Sequence, residues 1–294
     1  MYENFENGAM IMGQIIDGKS LAAEIDAQTL LDAQILKKAG VTPHLVVILV
    51  GEDEASQIYV RNKERRAQKL GIESTVIRLA STTTESELLG KIDELNHDDG
   101  VNAILVQMPL PNHLDEFKVI MAIDSKKDAD GFHPINVGRL FENEVDQTPV
   151  ACTPQGIMAM FDKYQIKLDG KNAVIVGRST IVGKPMAALL LNANATVTIA
   201  HSHTQNLTEI TQKADILVVA TGITHFIKEN QVKSGAVVID VGMDRDENGK
   251  LTGDVDFEHV QNQASYITPV PKGVGPMTIS MLMKQTVDLT KWSI

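Results

Sequence analysis

Asn172-Ala-Val-Ile-Val-Gly177-Arg-Ser-Thr-Ile-Val-Gly183-Lys-Pro185 reads as an apolar strand running into a glycine turn and then a helix. In that context the free backbone N–H groups at the helix start form a cradle for a pyrophosphate. The stretch departs from a strict G-x-G-x-x-G: Ser179 holds the middle position, and the next glycine is Gly183. Ordinary strand–turn–helix packing would use the same glycines, so the flanking residues must be weighed. The next expected strand, 195–200, ends in His201-Ser202-His203. An NAD-selective site usually carries Asp or Glu there for the ribose hydroxyls. None is present, whereas Arg178 and Ser202 suit a 2′-phosphate, which favours NADP; the bland alternative is that Ser202 and His203 open a loop. Two histidines at alternate positions do not make a metal site without further ligands, and no metal is expected. Two later strands close on Thr221-Gly222 and on Asp240-Val241-Gly242-Met243. Small residues at the carboxyl ends of parallel strands admit a ligand to the backbone, and plain turn chemistry would explain them equally well.

Outward from this unit the same rhythm continues. Short β-branched runs at 45–50, 74–80, 101–106, 172–176, 195–200, 216–220, 236–241 and 265–267 alternate with helix-period segments at 21–39, 55–70, 85–96, 155–164, 182–192, 207–213 and 275–289. Nearly all-apolar strands alternating with helices indicate an α/β fold with parallel sheets covered on both faces. The polar stretch 146–153, with Pro149 and Pro154 about it, marks a boundary. The expected division is an N-terminal α/β substrate domain, 12–148 with the last helix 275–294 returning to it, and a doubly wound, Rossmann-like nucleotide domain, 149–274. Residues 1–11 are set aside as an N-terminal extension.

The chain has 294 residues, enough for two domains at about 100–200 residues each. With 43% hydrophobic and 22% charged residues it is neither disordered nor fibrous. A net charge of −11 argues against a nucleic-acid partner. The lone cysteine, Cys152, excludes an intramolecular disulfide and a multi-cysteine metal site, and it fits a reducing compartment. No run approaches the ~18 apolar residues of a membrane span, no signal-peptide pattern opens the chain, and no basic amphipathic helix is present. A cytoplasmic protein without a membrane partner is expected.

The first half carries its own cluster. In Ala55-Ser56-Gln-Ile-Tyr59-Val-Arg-Asn-Lys63, helical spacing puts Ser56, Tyr59 and Lys63 on one face at i, i+3 and i+7, in the first turns after a strand. Tyr and Lys one turn apart suit proton transfer, with burial lowering the lysine pKa; Tyr59 equally suits stacking on a flat ligand. An exposed helix with a surface lysine is the plain alternative. Gln107 closes a neighbouring strand before Met108-Pro-Leu-Pro111, and Asp130, in Lys127-Asp-Ala-Asp130-Gly-Phe-His133, suits a heterocyclic amine, although two near-adjacent acids also suit helix capping. Tyr59-x-x-x-Lys63 matches the Tyr/Lys pair of short-chain dehydrogenases, but there the glycine fingerprint precedes the pair; here the order is reversed, and that family is rejected.

Taken together, Asp17-Gly-Lys19, Ala55-Ser-Gln-Ile-Tyr-Val60 with Lys63, Leu105-Val-Gln-Met-Pro-Leu-Pro111, Lys127–His133, Asn136-Val-Gly138, Cys152-Thr-Pro154, Gly177-Arg-Ser179 with Ile181-Val-Gly183, Tyr266-Ile-Thr-Pro-Val-Pro271 and Gly273-Val-Gly-Pro-Met-Thr278 resemble the bifunctional methylenetetrahydrofolate dehydrogenase/cyclohydrolase family, over essentially residues 12–289. One departure is Lys272, where the family usually has glycine; it adds a charge and a Cβ beside the implied folate site. The resemblance implies two α/β domains with the active site between them. It implies oxidation of 5,10-methylenetetrahydrofolate by NADP⁺ to the 5,10-methenyl form, then hydrolysis to 10-formyltetrahydrofolate. By the same resemblance Lys63 transfers the proton, Gln107 holds and tunes it, Tyr59 packs on the folate and Asp130 holds the pterin, with Ser56 at the same site. Pro269, Gly273, Gly275 and Pro276 belong to a loop closing on the substrate. Gly177, Arg178, Ser179, Ser202, Thr221, Gly222 and Met243 line the cofactor, Cys152 lies in the cleft with no covalent role, and a homodimer through the nucleotide domain is implied. A shikimate-dehydrogenase-like enzyme and a non-catalytic NADP-binding sensor are the alternatives.

Overall fold

The computed structural model describes residues 13–246 and 249–294; the expected extension, 1–11, lies outside the described residues. In chain order, β1 (Gln14–Ile15), α1 (Gly18–Lys38), β2 (His44–Val50), α2 (Glu54–Lys69), β3 (Glu73–Leu79), α3 (Glu85–Asn96), β4 (Ala103–Val106), α4 (Glu116–Ala122) and α5 (Pro134–Phe141) lead to α6 (Cys152–Lys163). There follow β5 (Asn172–Val176), α7 (Gly183–Asn192), β6 (Thr196–Ala200), α8 (Leu207–Thr211), β7 (Ile216–Val219), β8 (Val237–Asp240), the antiparallel ribbon β9 (Asp244–Arg245) and β10 (Leu251–Thr252), α9 (Phe257–Val260), β11 (Tyr266–Ile267) and α10 (Val274–Trp292).

Local chemistry starts the helices of the first half. Asp53 caps α2 by accepting the Ser56 N–H at 2.7 Å. Thr84 and Glu87 form a reciprocal capping box on α3. The short helices α4 and α5 carry too few turns to show a period; their caps, Asp115 and His133, are what define them.

Two parallel sheets result, ordered β3-β2-β4 and β1-β11-β8-β7-β5-β6. Their strands point alternate side chains to opposite faces. From β2, Leu45, Val47 and Leu49 enter a core shared with α1, α6 and α10, while Val46, Ile48 and Val50 pack on α3 and α4. From β5, Ala173 and Ile175 join that same shared core, and Val174 and Val176 pack toward α8 and α9. One continuous apolar layer therefore joins the two sheets. The last helix, α10, packs on α1 in the first half of the chain and on α6 in the second, and its Ser280 hydroxyl donates to Ala22 O. The second sheet has six strands rather than the five read from 172–267. β1 supplies the sixth, pairing Gln14 with Tyr266 and Ile15 with Ile267, and two residues are too few to show a period.

Each sheet has a point where the strand order reverses. In the second sheet β6 lies on one side of β5, and β7, β8 and β11 lie on the other. In the first, β3 and β4 flank β2 on opposite sides. Ligands of open α/β sheets bind outside the carboxyl ends of the strands at such points. The turn at Gly177 follows β5, and Gln107 follows β4.

Candidate active site

Lys63 is only 9% exposed. Its Nζ donates to Gln107 Oε1 at 3.0 Å, across the switch point between the helix after β2 and the end of β4. Gln107 is itself fixed, because its Nε2 donates to Met108 O at 2.7 Å and its backbone N–H to Ile48 O. The amide therefore presents its oxygen to the lysine. Burial lowers the Lys63 pKa from the ordinary lysine value, opposed by the charge of Asp130 and by Cys152.

Asp130 sits partly accessible opposite Lys63. Burial pushes its carboxyl up to about 6, with Lys63 pulling it down and Asp128 pushing it up. Asp128 has a different task from its neighbour. It is 2% exposed, and its carboxylate accepts the Gly131 N–H (3.0 Å), the His133 N–H (2.8 Å) and the Asn136 side-chain amide (2.9 Å). It builds the loop that presents Asp130. Behind them the Cys152 thiol lies 3.5 Å from Ala129 O, and burial, reinforced by Asp130, drives its pKa well above normal. The thiol is thus held protonated. Gln285, buried on α10, accepts the Val150 N–H and donates to Ala129 O, tying the last helix to this loop. Asp128 is the capping member of the near-adjacent acid pair and acts locally, whereas Gln285 does not stand out in the sequence as part of the site, since it acts through backbone groups 135 and 156 residues away.

Of the expected trio on α2, Ser56 and Lys63 are buried, while Tyr59 is 37% exposed. The Tyr59 hydroxyl lies 3.7 Å from Met243 Sδ, beyond the end of β8, and burial raises its pKa, so it stays a neutral phenol. A Cβ on Gly275 would stand 3.5 Å from the same sulfur. Tyr59, Met243 and the start of α10 therefore converge on one cleft between the sheets. Gly273 admits no side chain, because a Cβ there would run into Pro269 O. Lys272 adopts φ +87°, the left-handed conformation that favours glycine. Pro269 and Pro276 bracket this loop, and Thr278 joins α10 to Thr153 through paired hydroxyls at 2.9 Å.

On the nucleotide side, Gly177 has φ +131°, and a Cβ there would strike Ala220 O at the end of β7. Only glycine lets the turn lie this close to the neighbouring strand. The Ser179 hydroxyl accepts the N–H groups of Val182 (3.2 Å) and Gly183 (3.3 Å), so it shapes the turn in place of the missing glycine. Val176 pairs with Ala200, which puts the exposed Arg178 and Ser202 both two residues beyond the last pair of adjacent strands. A cradle closed to side chains with a cation and a hydroxyl at its rim fits a phosphorylated dinucleotide. His201 and His203 stack edge-to-face at 6.0 Å, and among the described residues no group of three or more His, Cys, Asp or Glu is placed to hold a metal. The amides of Thr221 and Gly222 turn inward, to a buried carboxylate of Asp254.

The family model for the tetrahydrofolate dehydrogenase/cyclohydrolase catalytic domain matches residues 16–130, and that for the NAD(P)-binding domain of the same family matches residues 151–294. The chain belongs to the tetrahydrofolate dehydrogenase/cyclohydrolase family. Within that family, Bifunctional protein FolD of Pediococcus pentosaceus is 74% identical over 283 residues, covering 96% of this chain and 100% of that one. The crystal structure of the bifunctional methylenetetrahydrofolate dehydrogenase/cyclohydrolase from Campylobacter jejuni superposes with a TM-score of 0.94 at 48% identity, covering 96% of this chain and 99% of that one. The Trypanosoma brucei dehydrogenase–cyclohydrolase, solved with NADP cofactor and an inhibitor, superposes with a TM-score of 0.91 at 36% identity over 96% and 98%. The shikimate-dehydrogenase-like and sensor alternatives are not favoured by these matches to both halves of the tetrahydrofolate dehydrogenase/cyclohydrolase family.

Proposed function

We infer that this protein oxidises 5,10-methylenetetrahydrofolate with NADP⁺ and hydrolyses the 5,10-methenyl product to 10-formyltetrahydrofolate in one cleft. The observation that carries this reading is the buried Lys63–Gln107 pair, facing Asp130 beside a cleft where Tyr59 of the first half meets Met243 of the second.

Gly177, Arg178, Ser179 and Ser202 are assigned to the phosphates, with Thr221, Gly222 and Met243 along the rest of the cofactor. NADP⁺, when bound, supplies the hydride acceptor. The reacting carbon lies between two nitrogens whose lone pairs stabilise the cation left behind, so this step asks the chain for alignment rather than for an acid or base. Asp130 would hold the pterin and Tyr59 the folate face, with Ser56 and the loop Pro269, Gly273, Gly275 and Pro276 completing the substrate side.

Hydrolysis does need a proton carrier. Water adds to the methenyl carbon, forming a C–O bond, and the C–N5 bond then breaks to leave the formyl group on N10. Neutral Lys63 takes one proton from the attacking water and delivers it to departing N5, while the remaining hydroxyl proton leaves to solvent as the formyl C=O forms. Burial favours the neutral amine this requires, and Gln107 Oε1 orients it. A general acid–base role of this kind contributes about 10²–10⁴-fold.

The same reading places the substrate domain at 12–148 with 275–294 and the nucleotide domain at 149–274; the α10 contacts with α1 support the first grouping, while α10 also packs on α6 of the second and β1 lends two residues to the second sheet. A homodimer through the nucleotide domain is proposed. It is supported by β6, which ends the second sheet as an open edge with Ile199 and, on α7, Leu191 exposed nearby. A cytoplasmic location is proposed from the lone buried cysteine; no described helix is long and apolar enough to cross a membrane. The test is a spectrophotometric assay with methylenetetrahydrofolate, run with NADP⁺ and separately with NAD⁺. Reduced cofactor without lasting methenyl build-up, faster with NADP⁺, is expected. No reduced cofactor with either nucleotide would refute the reading.

A further inference from the structure

Two buried carboxylates at the ends of β7 and β8 have no part in the chemistry above. Asp254 is completely buried. Its carboxylate accepts three successive backbone N–H groups: Thr221 at 2.5 Å and Gly222 at 3.2 Å on Oδ2, and Ile223 at 3.0 Å on Oδ1. Asp240, 3% exposed, repeats the device one layer back. Its Oδ1 accepts the N–H groups of Gly242 (2.9 Å) and Asp254 (3.0 Å), and its Oδ2 accepts that of Val255 (2.9 Å). The Asp240 N–H in turn donates to Thr268 Oγ1 at 2.7 Å, immediately before Pro269. Glycines make room for both acids: a Cβ on Gly242 would collide with the Asp254 carboxylate, and one on Gly253 with that of Asp240.

No Lys, Arg or His among the described residues forms an ion pair with either acid. Asp244, beside Asp254, is another carboxyl. Burying carboxylates without a cation is costly, so here their partners are backbone amides, gathered as in an anion-binding nest. The consequence is geometric. Because the peptides are trans, an N–H turned toward Asp254 turns the carbonyl of the preceding residue away from it. Three successive amides are thereby committed to Asp254, and the turn that carries Thr221 and Gly222 has one shape before any ligand arrives. Gly242, held by Asp240, directly precedes Met243, which touches Tyr59.

We propose that Asp254, braced by Asp240, is a positioning residue for the cofactor: it pre-forms the 221–223 turn against which NADP binds and contributes to hydride transfer without serving hydrolysis. This rests on the reading that Thr221 and Gly222 line the cofactor. Asp254→Asn keeps the shape but sets an amide donor against backbone donors, and the turn must move. The expected result is a rise of about 10-fold or more in the Kd and KM for NADP⁺, the scale of a buried donor left unsatisfied. Cyclohydrolase turnover of added methenyltetrahydrofolate, assayed without NADP⁺, stays within about 2-fold of wild type. A merely structural role would lower both activities together, and that result, or unchanged NADP⁺ affinity, overturns the proposal. Amide exchange in the unmutated, NADP-free protein tests it even if the variant does not fold. Protection of the Thr221, Gly222 and Ile223 amides is expected, and exchange at free-loop rates overturns it. Adding NADP⁺ while following the Thr221 and Gly222 amide resonances separates the two levels. Absent shifts refute the cofactor-lining reading, and the proposal falls with it; shifts with unchanged affinity in Asp254→Asn refute only the positioning role.

Discussion

Replacing Lys63 with methionine separates the two reactions. The side chain is 9% exposed, so an apolar chain of similar length fills its space without opening a cavity. What is removed is one proton carrier and one hydrogen bond, from Nζ to Gln107 Oε1. Loss of the carrier slows hydrolysis by about 10²–10⁴-fold. Gln107 Oε1 left without its donor costs about 1–3 kcal/mol. The removal of an ammonium that burial already disfavours offsets that cost. The folded lysine binds protons less readily than the unfolded one, so in wild type this group makes stability rise with pH through the window below the ordinary value of 10.5. Lys63→Met removes that dependence, so relative to wild type the variant gains stability toward lower pH. The assay follows reduced cofactor and methenyl absorbance together from methylenetetrahydrofolate and NADP⁺. Hydride transfer should survive within about 10-fold, since it needs alignment and no proton carrier, and methenyltetrahydrofolate should accumulate. Cyclohydrolase activity within about 10-fold of wild type across the pH range, or equal loss of both activities, would refute the reasoning.

Other substitutions probe the remaining parts of the cleft. Lys272→Gly should stabilise the protein by about 1 kcal/mol, because it relieves a non-glycine residue at φ +87°; an unchanged or lower Tm would contradict this. Arg178→Ala should weaken NADP⁺ far more than NAD⁺, since only the 2′-phosphate needs the guanidinium; titrations showing equal loss for both would remove Arg178 from that role. Asp130 has a folded pKa raised to about 6, so the native state holds its proton longer than the unfolded chain does, and stability falls as pH rises from about 4 to about 6. Asp130→Asn should therefore raise the Tm at about pH 8 but not at about pH 4, while weakening folate binding; the same Tm shift at both would show that the buried charge is not the cause.

Much of this architecture is legible along the chain because it is local. An apolar run such as Val174–Val176 before Gly177 states its strand and its turn within a few residues, and Thr84 with Glu87 states a helix start. Expected helices at 55–70 and 275–289 appear as Glu54–Lys69 and Val274–Trp292, close to where periodicity put them. The short helices Glu116–Ala122 and Pro134–Phe141 and the two-residue strand Gln14–Ile15 were not legible, since none spans enough residues to show a period. Ser56, Tyr59 and Lys63 could be grouped from spacing alone, but not the fact that Lys63 and Ser56 are buried while Tyr59 looks across to Met243.

By itself the sequence determined the succession of strands and helices, the glycine turn that can accept a pyrophosphate, and the set of ordered motifs that mark the family. Those depend on backbone preferences and side-chain types within a turn or two. Only the tertiary structure decided that Gln107 meets Lys63 from 44 residues away, that Asp130 is charged with difficulty, and that Asp254 gathers the amides of 221–223. Such contacts follow from strand order. Placing β3 and β4 on opposite sides of β2, and β6 and β7 on opposite sides of β5, brings distant carboxyl ends together and takes them out of water. Desolvation then sets the proton affinities, and no window of neighbouring residues contains it.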